Sequence, residues 1–502
     1  MKLHVIVQAG GRGSRLRHHT WNKPKCLVSV NGKPLLYHLF DQFTDAHFHI
    51  IGDYAYDQLE KYLLVNKPTV PYSLIKASGK GTASGILTAL ETVPSELPVV
   101  ITWSDLLINK LPEWPDTELP VVCLTNAFTC RWTQQIDGTL KETPGNNGIP
   151  GLFYIKQAKN FPEPPNEGEF VKWFSRNVPA FETLLCNDLE ELGDFASIEQ
   201  SNDAAGFARF FNSVEINKDT VVKKAKIAEY QSLIDNEITW YHDIELLGFR
   251  RIPKIHNTSP LTMQRINGQH AYAMSDLTTR EKRSVLADYI DSLQDLHHLG
   301  SKPADKQDVL EVYINKTKQR VESVASLIPG INSLSMTVNG TKCSNVFAKN
   351  QLDELIKHVT CDRFTPIHGD PTFSNSLIDH NLKVHFIDPR GYFYRQGVWG
   401  DPWYDFAKVY YSATGGYDLF NRRKFKLHVD SETVEVLMDK PLFADIADDV
   451  FKEFFNTDIA RIKILHGLIW LSLSGYAKDD IDSVIGSFYL GLYWLEQGVK
   501  SL

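Results

Sequence analysis

Two runs, Ile367-His368-Gly369-Asp370-Pro371-Thr372-Phe373-Ser374-Asn375 and Phe386-Ile387-Asp388-Pro389-Arg390-Gly391, carry the most specific chemistry in the chain. Phe364 and Ile367 form an apolar lead-in that brings Asp370 into a loop, and Asn375, five residues on, can face the same cation. The β-rich run Val384 to Ile387 then delivers Asp388, thirteen residues beyond Asn375. Phosphoryl transfer from a Mg-nucleotide asks for this set: one carboxylate to orient an alcohol and take its proton, with an Asn and an Asp to hold the metal. An Asx-rich turn and an edge strand would explain either half alone. They do not explain both at this separation.

The spacing is that of the catalytic loop and metal-binding Asp of the kinase template, with His-Gly-Asp in place of His-Arg-Asp. The stretch resembles the aminoglycoside phosphotransferase and choline kinase family, whose signature is His-Gly-Asp-x-x-x-x-Asn followed by Ile-Asp. The resemblance implies an ATP-dependent, bilobal protein-kinase-like fold with Asp370 as catalytic base and Asn375 and Asp388 as Mg2+ ligands. A kinase site also needs a strand-borne Lys at the nucleotide phosphates, paired with a helix Glu. Lys223, after Val221 and Val222, is the candidate, with Glu237 as its partner and Glu229 as the alternative. Phe210 to Ile216 and Thr220 to Lys224 read as strands around an Asn217-Lys218-Asp219 turn, and Leu261 to Gly268 as the hinge that meets adenine. Arg283 to Leu299 has helical apolar spacing; His297 and His298 at its end point in different directions and read as structural. The aromatic runs Tyr392 to Tyr394 and Trp399 to Phe406 suit a quaternary-ammonium cage, a surface for a sugar, or core.

At the other end, Leu3 to Val7 reads as a buried strand running into Gln8-Ala9-Gly10-Gly11-Arg12-Gly13-Ser14-Arg15-Leu16. Glycines there let backbone N–H groups approach phosphates, and Arg12 and Arg15 supply charge. The dinucleotide pattern Gly-x-Gly-x-x-Gly is not present. Lys23-Pro24-Lys25 follows, then an Asn31-Gly32 turn and a helix opened by Pro34. This order resembles the nucleotidyltransferases that activate sugar phosphates and phosphocholine (MobA-like NTP transferases), which open Ala-Gly-x-Gly-x-Arg-Leu followed by Pro-Lys. The resemblance implies a Rossmann-like α/β domain in which Gly11, Gly13, Arg15 and Lys25 bind the triphosphate. Arg15 and Lys25 would stabilise the charge developing there. Gly81 and Thr82, within Gly79 to Gly85, would meet the nucleobase, and Asp105, the acid that ends the buried strand Pro98 to Asp105, would hold Mg2+ beside the α-phosphate. Asp188, Asp194 and Asp203 are all available as a second metal ligand, with Asp194 preferred. Lys141-Glu142-Thr143-Pro144 stands where sugar-phosphate members carry Glu-Lys-Pro, leaving Lys141 or Lys156 for the acceptor phosphate.

Composition sets the frame. A chain of 502 residues is too long for one ordinary core. Its 43% hydrophobic and 23% charged content is that of a globular protein, and a net charge of −8 argues against general nucleic-acid binding. Six scattered cysteines without a CxxC fit a reducing cytoplasm. No signal peptide is evident, and Ile464 to Leu473, broken by His466 and Gly467, reads as a buried helix rather than a membrane span.

The expected organisation is a nucleotidyltransferase domain over residues 1–205 and a kinase-like domain over 206–502, with the small polar stretch Ser201 to Gly206 as the joint. The kinase N-lobe would end near residue 267. The two resemblances together imply a bifunctional cytoplasmic enzyme, with Mg2+ as cofactor and no membrane insertion. One half would phosphorylate a small alcohol, choline-like or a polyol, with ATP. The other would join the phosphomonoester to a nucleotide from a second NTP, CTP favoured, as a precursor for surface polysaccharide or lipid. Homo-oligomerisation is compatible with this. Alternatives are an anomeric sugar kinase feeding NDP-sugar synthesis, a stand-alone kinase with an inactive N-terminal domain, and a nucleotide-sensing scaffold.

Overall fold

The computed structural model describes residues 3–205 and 212–502. They fall into two compact units, Met1–Ala204 with Asp479–Ile481, and Ala205–Lys478 with Asp482–Leu502.

The first unit is built from strands β1 (His4–Gln8), β2 (His47–Gly52), β3 (Tyr72–Lys76), β4 (Val99–Trp103), β5 (Leu106–Ile108), β6 (Val121–Leu124), β7 (Leu152–Ile155), β8 (Glu182–Leu185) and β9 (Leu189–Glu191). Seven of these form one mixed sheet in the order β8-β6-β7-β4-β1-β2-β3; β5 and β9 pair separately as an antiparallel ribbon. Strands β4, β1, β2 and β3 run parallel, and β7 runs against both its neighbours. The continuous apolar runs in β1 and β4 follow from this position, since central parallel strands are covered on both faces. Val5, Ile6, Val7, Val99, Val100 and Ile101 are all buried. Helices α1 (Leu35–Gln42), α2 (Tyr56–Val65), α3 (Ala83–Thr92), α4 (Phe170–Asn177) and α5 (Phe195–Ala205) complete the unit. Ile6, Ile51, Ile86, Ile101, Phe153 and Phe170 share one core. This is a Rossmann-like α/β domain.

The boundary between the units, at Ala204 and Ala205, falls within the stretch expected as a joint, which is helical up to there. Residues 201–205 belong to α5, because Asp194 caps that helix and Ile198 anchors it in a small core with Leu16, Leu107 and Leu192. Gly206, Phe210 and Phe211 lie outside the described residues, as does the side chain of Asp203.

The second unit begins with an antiparallel sheet of β10 (Asn212–Ile216), β11 (Thr220–Ala225), β12 (Ile255–Thr258) and β13 (Leu261–Gln264), in the order β10-β11-β13-β12. Helix α6 (Gln231–Leu246) carries Glu237, Trp240 and Tyr241, all buried, on one face at three- and four-residue spacing. A ribbon of β14 (Gly268–Gln269), β15 (Ser376–Asp379) and β16 (Val384–Phe386) follows in space. The remainder is mainly helical: α7 (Thr279–His297), opened by a Thr278/Glu281 capping box, then α8 (Lys306–Leu310) and α9 (Lys316–Glu322) joined through a π-helical turn at Glu311–Asn315. Helices α10 (Pro402–Ala413), α11 (Tyr417–Asn421), α12 (Ala447–Phe455), α13 (Ile459–Ser474) and α14 (Ile481–Val499) close it. Ile464 to Leu473 lies inside α13, buried almost all round. Among the described residues no helix is long and apolar enough to cross a membrane.

Three histidines sit on β1 and β2: His4 Nδ1 and His49 Nε2 are 2.9 Å apart, and His47 stacks on His4. Burial, then the neighbouring His47 and His4, lowers His49 to about 4. Unfolded, the ring takes a proton near pH 6.5; folded, it stays neutral until about pH 4. The unfolded chain therefore binds more protons in that window, and stability falls as pH falls through it, by up to ~3 kcal/mol. Chemical denaturation of the full chain from pH 7 to 4 should show this slope, and His49→Gln should flatten it. An unchanged slope in the variant would assign the effect to other groups.

Candidate active sites

In the first unit the site forms where the parallel strands end. From Gln8 the chain turns through a glycine-rich loop. A Cβ on Gly10 would lie 2.7 Å from Asp53 Cβ, and Gly13 has φ 64° with its Cβ position 3.1 Å from Lys25 Cβ. Only glycine suits that backbone and that approach. Lys25 N donates to Gly11 O at 3.3 Å, and the Lys25 ammonium pairs with the Asp105 carboxylate just past β4. The Lys25 and Asp105 side chains are 11% and 16% exposed, so the pair is largely withdrawn from water. The segment from Gly79 to Gly85 is docked on the chain before α4. Gly168 N donates to Lys80 O (2.7 Å), Ala83 N to Gly168 O (3.0 Å), and Phe170 N to Thr82 Oγ1 (2.9 Å). Gln8 Nε2 donates to Thr82 O at 2.6 Å, tying this loop to the end of β1. Gly81, at φ 93°, could not bear a Cβ, which would lie 2.3 Å from Gly168 O.

Arg15 is exposed, with its guanidinium 3.6 Å from Glu191. Glu191 is the residue that sequence reasoning missed. It reaches Asp105 because β9 pairs with β5, opposing Glu191 to Leu106, and Leu192 N donates to Asp105 O at 2.9 Å. Burial, then Asp105, raises its carboxyl above the ordinary range, against the pull of Lys25 and Arg15. Asp194 is close enough to feel Arg15, but Ser197 N–H first of all holds its carboxylate down, as the cap of α5. Lys156 pairs with Asp116 and Glu118, and Lys141 is exposed on a hairpin.

In the second unit Lys223 is buried on β11, its Nζ 2.6 Å from Glu237 and 2.7 Å from Asp388. Burial opposes the ammonium, but the two carboxylates outweigh it and hold its pKa above the usual value. Glu229 lies in the short turn before α6 and is exposed. The same face of α6 fixes both loops: Trp240 Nε1 donates to Ile367 O (2.8 Å), and Asp388 N donates to Tyr241 Oη (3.2 Å). Asn375 Nδ2 donates to the main-chain and Oδ2 oxygens of Asp370, both at 2.9 Å, and Lys408 Nζ lies 2.9 Å from Asp370 Oδ1. The fully buried Asp405 accepts from His368 N and Gly369 N, both at 2.8 Å, and sits 3.1 Å from His297 Nε2. His297 is thus structural. Lys408 escaped sequence reasoning as a site residue although its helical phase, three residues after Asp405, turns it toward the same loop.

The aromatic runs do not make an open cage. Arg390 lies over Tyr392 at 4.2 Å and Tyr404 at 5.9 Å, and Lys408 over Tyr404, Tyr411 and Tyr417 at 5.1 to 5.9 Å. Arg461 covers Trp403, while Phe393 and Phe406 are core. The protein's own cations thus lie against these rings, where a quaternary ammonium would compete with them.

Both sites offer oxygen donors of the kind that suits Mg2+ completed by phosphate and water: Asn375 with Asp388, and Asp105 with Glu191. Asn375 has its Nδ2 committed to Asp370, so the amide oxygen is the atom it would offer a cation. Among the described residues no group of three or more His, Cys, Asp or Glu side chains forms a closed metal site.

Residues 5–110 match the MobA-like NTP transferase domain. The chain is similar to the UTP–glucose-1-phosphate uridylyltransferase AglF of Haloferax volcanii, 25% identical over 34% of this chain and 79% of that protein. It is also similar to the bifunctional protein GlmU of Methanocaldococcus jannaschii, 31% identical over 19% of this chain and 24% of that protein. It thus spans most of the first relative and about a quarter of the second. Among solved structures, UDP-glucose pyrophosphorylase complexed with UDP-glucose is 14% identical, covering 41% of this chain and 98% of that one, with a TM-score of 0.32. CTP:phosphocholine cytidylyltransferase from Streptococcus pneumoniae is 17% identical, covering 40% and 97%, also with a TM-score of 0.32. The family match thus falls within the first unit.

Asp405→Ala should lower the unfolding free energy of the second unit by about 2–4 kcal/mol, since it strands two buried N–H groups and His297. Denaturant titration of the full chain followed by tryptophan fluorescence would measure it. An unchanged midpoint would show that the loop is held by other contacts.

Proposed function

We propose that this chain is a bifunctional enzyme. The second unit phosphorylates a small alcohol with ATP. The first transfers a nucleotidyl group from a second NTP to the resulting phosphomonoester and releases pyrophosphate. The observation that carries the kinase half is Lys223 held between Glu237 and Asp388, with Asp370 fixed by Asn375 nearby. That is the charge arrangement phosphoryl transfer uses. The transferase half is supported by the domain match over residues 5–110 and by the Lys25–Asp105 pair at the glycine-rich loop.

In this reading Asp370 accepts the hydroxyl proton as the alcohol oxygen bonds to the γ-phosphorus, and the β,γ-bridging bond breaks to leave ADP. Lys223 neutralises nucleotide phosphate charge. In the first unit a phosphomonoester oxygen attacks the α-phosphorus of the NTP, the α,β-bridging bond breaks, and pyrophosphate departs. Lys25 and Arg15 stabilise the charge on the reacting phosphates. Gly11 and Gly13 let the loop approach the triphosphate, and Gly81 and Thr82 line the nucleobase side. Mg2+, held by Asn375 and Asp388 in one site and by Asp105 with Glu191 or Asp194 in the other, would neutralise phosphate charge when bound. A cytoplasmic setting, where both nucleotides are made, belongs to this reading.

A second reading makes the alcohol a sugar's anomeric hydroxyl and the product an NDP-sugar. Similarity to a UTP–glucose-1-phosphate uridylyltransferase favours it.

Mass spectrometry of the full chain given Mg-ATP, the other NTPs and a pool of alcohols and sugars separates these readings. An NDP-linked product should appear, and Asp370→Asn and Asp105→Asn should each lower it by at least about a hundredfold. Asp105→Asn should accumulate the phosphomonoester. A phosphomonoester that forms alone, untouched by Asp105→Asn, would remove the transferase half.

A further inference from the structure

Beside Asp370 the second unit gathers cations that the chemistry just described does not use. Lys408 pairs with Asp370 itself, at 2.9 Å. Arg390 follows directly on the Asp388-Pro389 turn. Its N–H donates to His368 O at 3.0 Å, and its side chain packs so closely on Gly369 that a Cβ there would come within 2.9 Å. Lys316 and Arg320 lie on α9, four residues apart and so on one face.

The π-helical turn at Glu311–Asn315 sets that face. Lys316 N donates back five residues to Glu311 O, which rotates α9 relative to α8. Such turns re-aim side chains at a cost in helix geometry and cluster at functional sites. Arg320 is steadied by Ser472 Oγ at 3.0 Å and by the ring of Tyr476. Among the described residues the Lys316 ammonium has no hydrogen-bond or ion-pair partner. Burial, then Arg390, Arg320 and Lys408, pushes its pKa well below the usual lysine value. Arg320 is likewise lowered by burial, with Arg390 adding to it. Asp370 is the anion paired with this group, and it faces Lys408. Four cations converging on one half-buried place repel one another unless an anion joins them.

We propose that Lys316, Arg320, Arg390 and Lys408 form the acceptor subsite of the kinase, and that the alcohol phosphorylated there carries its own anionic group, a carboxylate or a phosphate. The inference rests on the assignment of Asp370 as the base of an alcohol kinase. The anion would sit among Lys316, Arg320 and Arg390 and hold the hydroxyl toward Asp370, while the tyrosine rings beneath Arg390 and Lys408 fix those cations. The same charges exclude choline-like acceptors, so specificity comes from repulsion as well as attraction.

The test is calorimetric titration of the full chain with four acceptors of similar size: glycerate, glycerol 3-phosphate, glycerol and choline. Phosphorus NMR on parallel samples containing Mg-ATP reports transfer. One or both anionic alcohols should bind at least tenfold more tightly than glycerol, and choline should not bind. Comparing glycerate with glycerol 3-phosphate assigns carboxylate or phosphate. Lys316→Met and, separately, Arg320→Gln should weaken anion binding by roughly ten- to a hundredfold, as loss of one charge-assisted contact predicts, with Lys316→Arg recovering most of it. Retained ATP binding in each variant shows that the fold survives. Tight anion binding without transfer from ATP would leave the subsite standing and remove the kinase assignment. Transfer to glycerol or choline as readily as to the anions, or anion affinity insensitive to both variants, would overturn the subsite and leave the kinase.

Discussion

A lysine ammonium almost excluded from water must be paired, and Lys223 is paired twice. Its partners come from a helix and from the loop after β16, so one buried charge ties the four-stranded sheet, α6 and Asp388 together. Removing any one carboxylate would leave the ammonium under-compensated. The helix then serves as a ruler: Glu237 meets Lys223, Trp240 holds the carbonyl before His368, and Tyr241 receives the amide of Asp388. A single face of α6 thereby positions the loops bearing both carboxylates of the site.

The first unit solves a related problem with fewer groups. Lys25 is brought against Asp105 by a glycine that leaves room for its aliphatic stem, and the pair lies at the carboxyl ends of parallel strands. Loops at such a switch point are free to vary while the sheet stays fixed. Glu191 arrives there from a different direction, through an antiparallel ribbon that is separate from the main sheet. Its raised carboxyl and its closeness to Asp105 suit a place where a cation would relieve two neighbouring acids.

Cations and aromatic rings near Asp370 limit what can approach it. Rings that in isolation would attract a quaternary ammonium have Arg390 and Lys408 against them, so the charge beside Asp370 is opposite in sign to what its aromatic content would hold. Composition alone leaves a cage, a surface for a sugar and core all open. Which face of each ring is free depends on contacts between segments far apart in the chain.

The sequence by itself determined the local features: the glycine-rich strand-to-loop opening, the buried strand before Asp105, the Val221-Val222-Lys223 strand, and the loop running from Asp370 through Asn375 to Asp388. Each is legible because its chemistry lies within a few residues, where glycine geometry, strand patterning and fixed spacing act directly. Tertiary structure alone decided the rest. Glu191 joins Asp105 through a ribbon between segments more than eighty residues apart, a pairing no spacing announces. The stretch 201–205 became helix because Asp194 and Ile198 secure its start, overriding a small polar composition. Lys316 and Arg320 share one face of α9, which begins only after the π-helical turn. Charge repels or attracts through space rather than along the chain, so the charge gathered beside Asp370 is a property of the folded molecule.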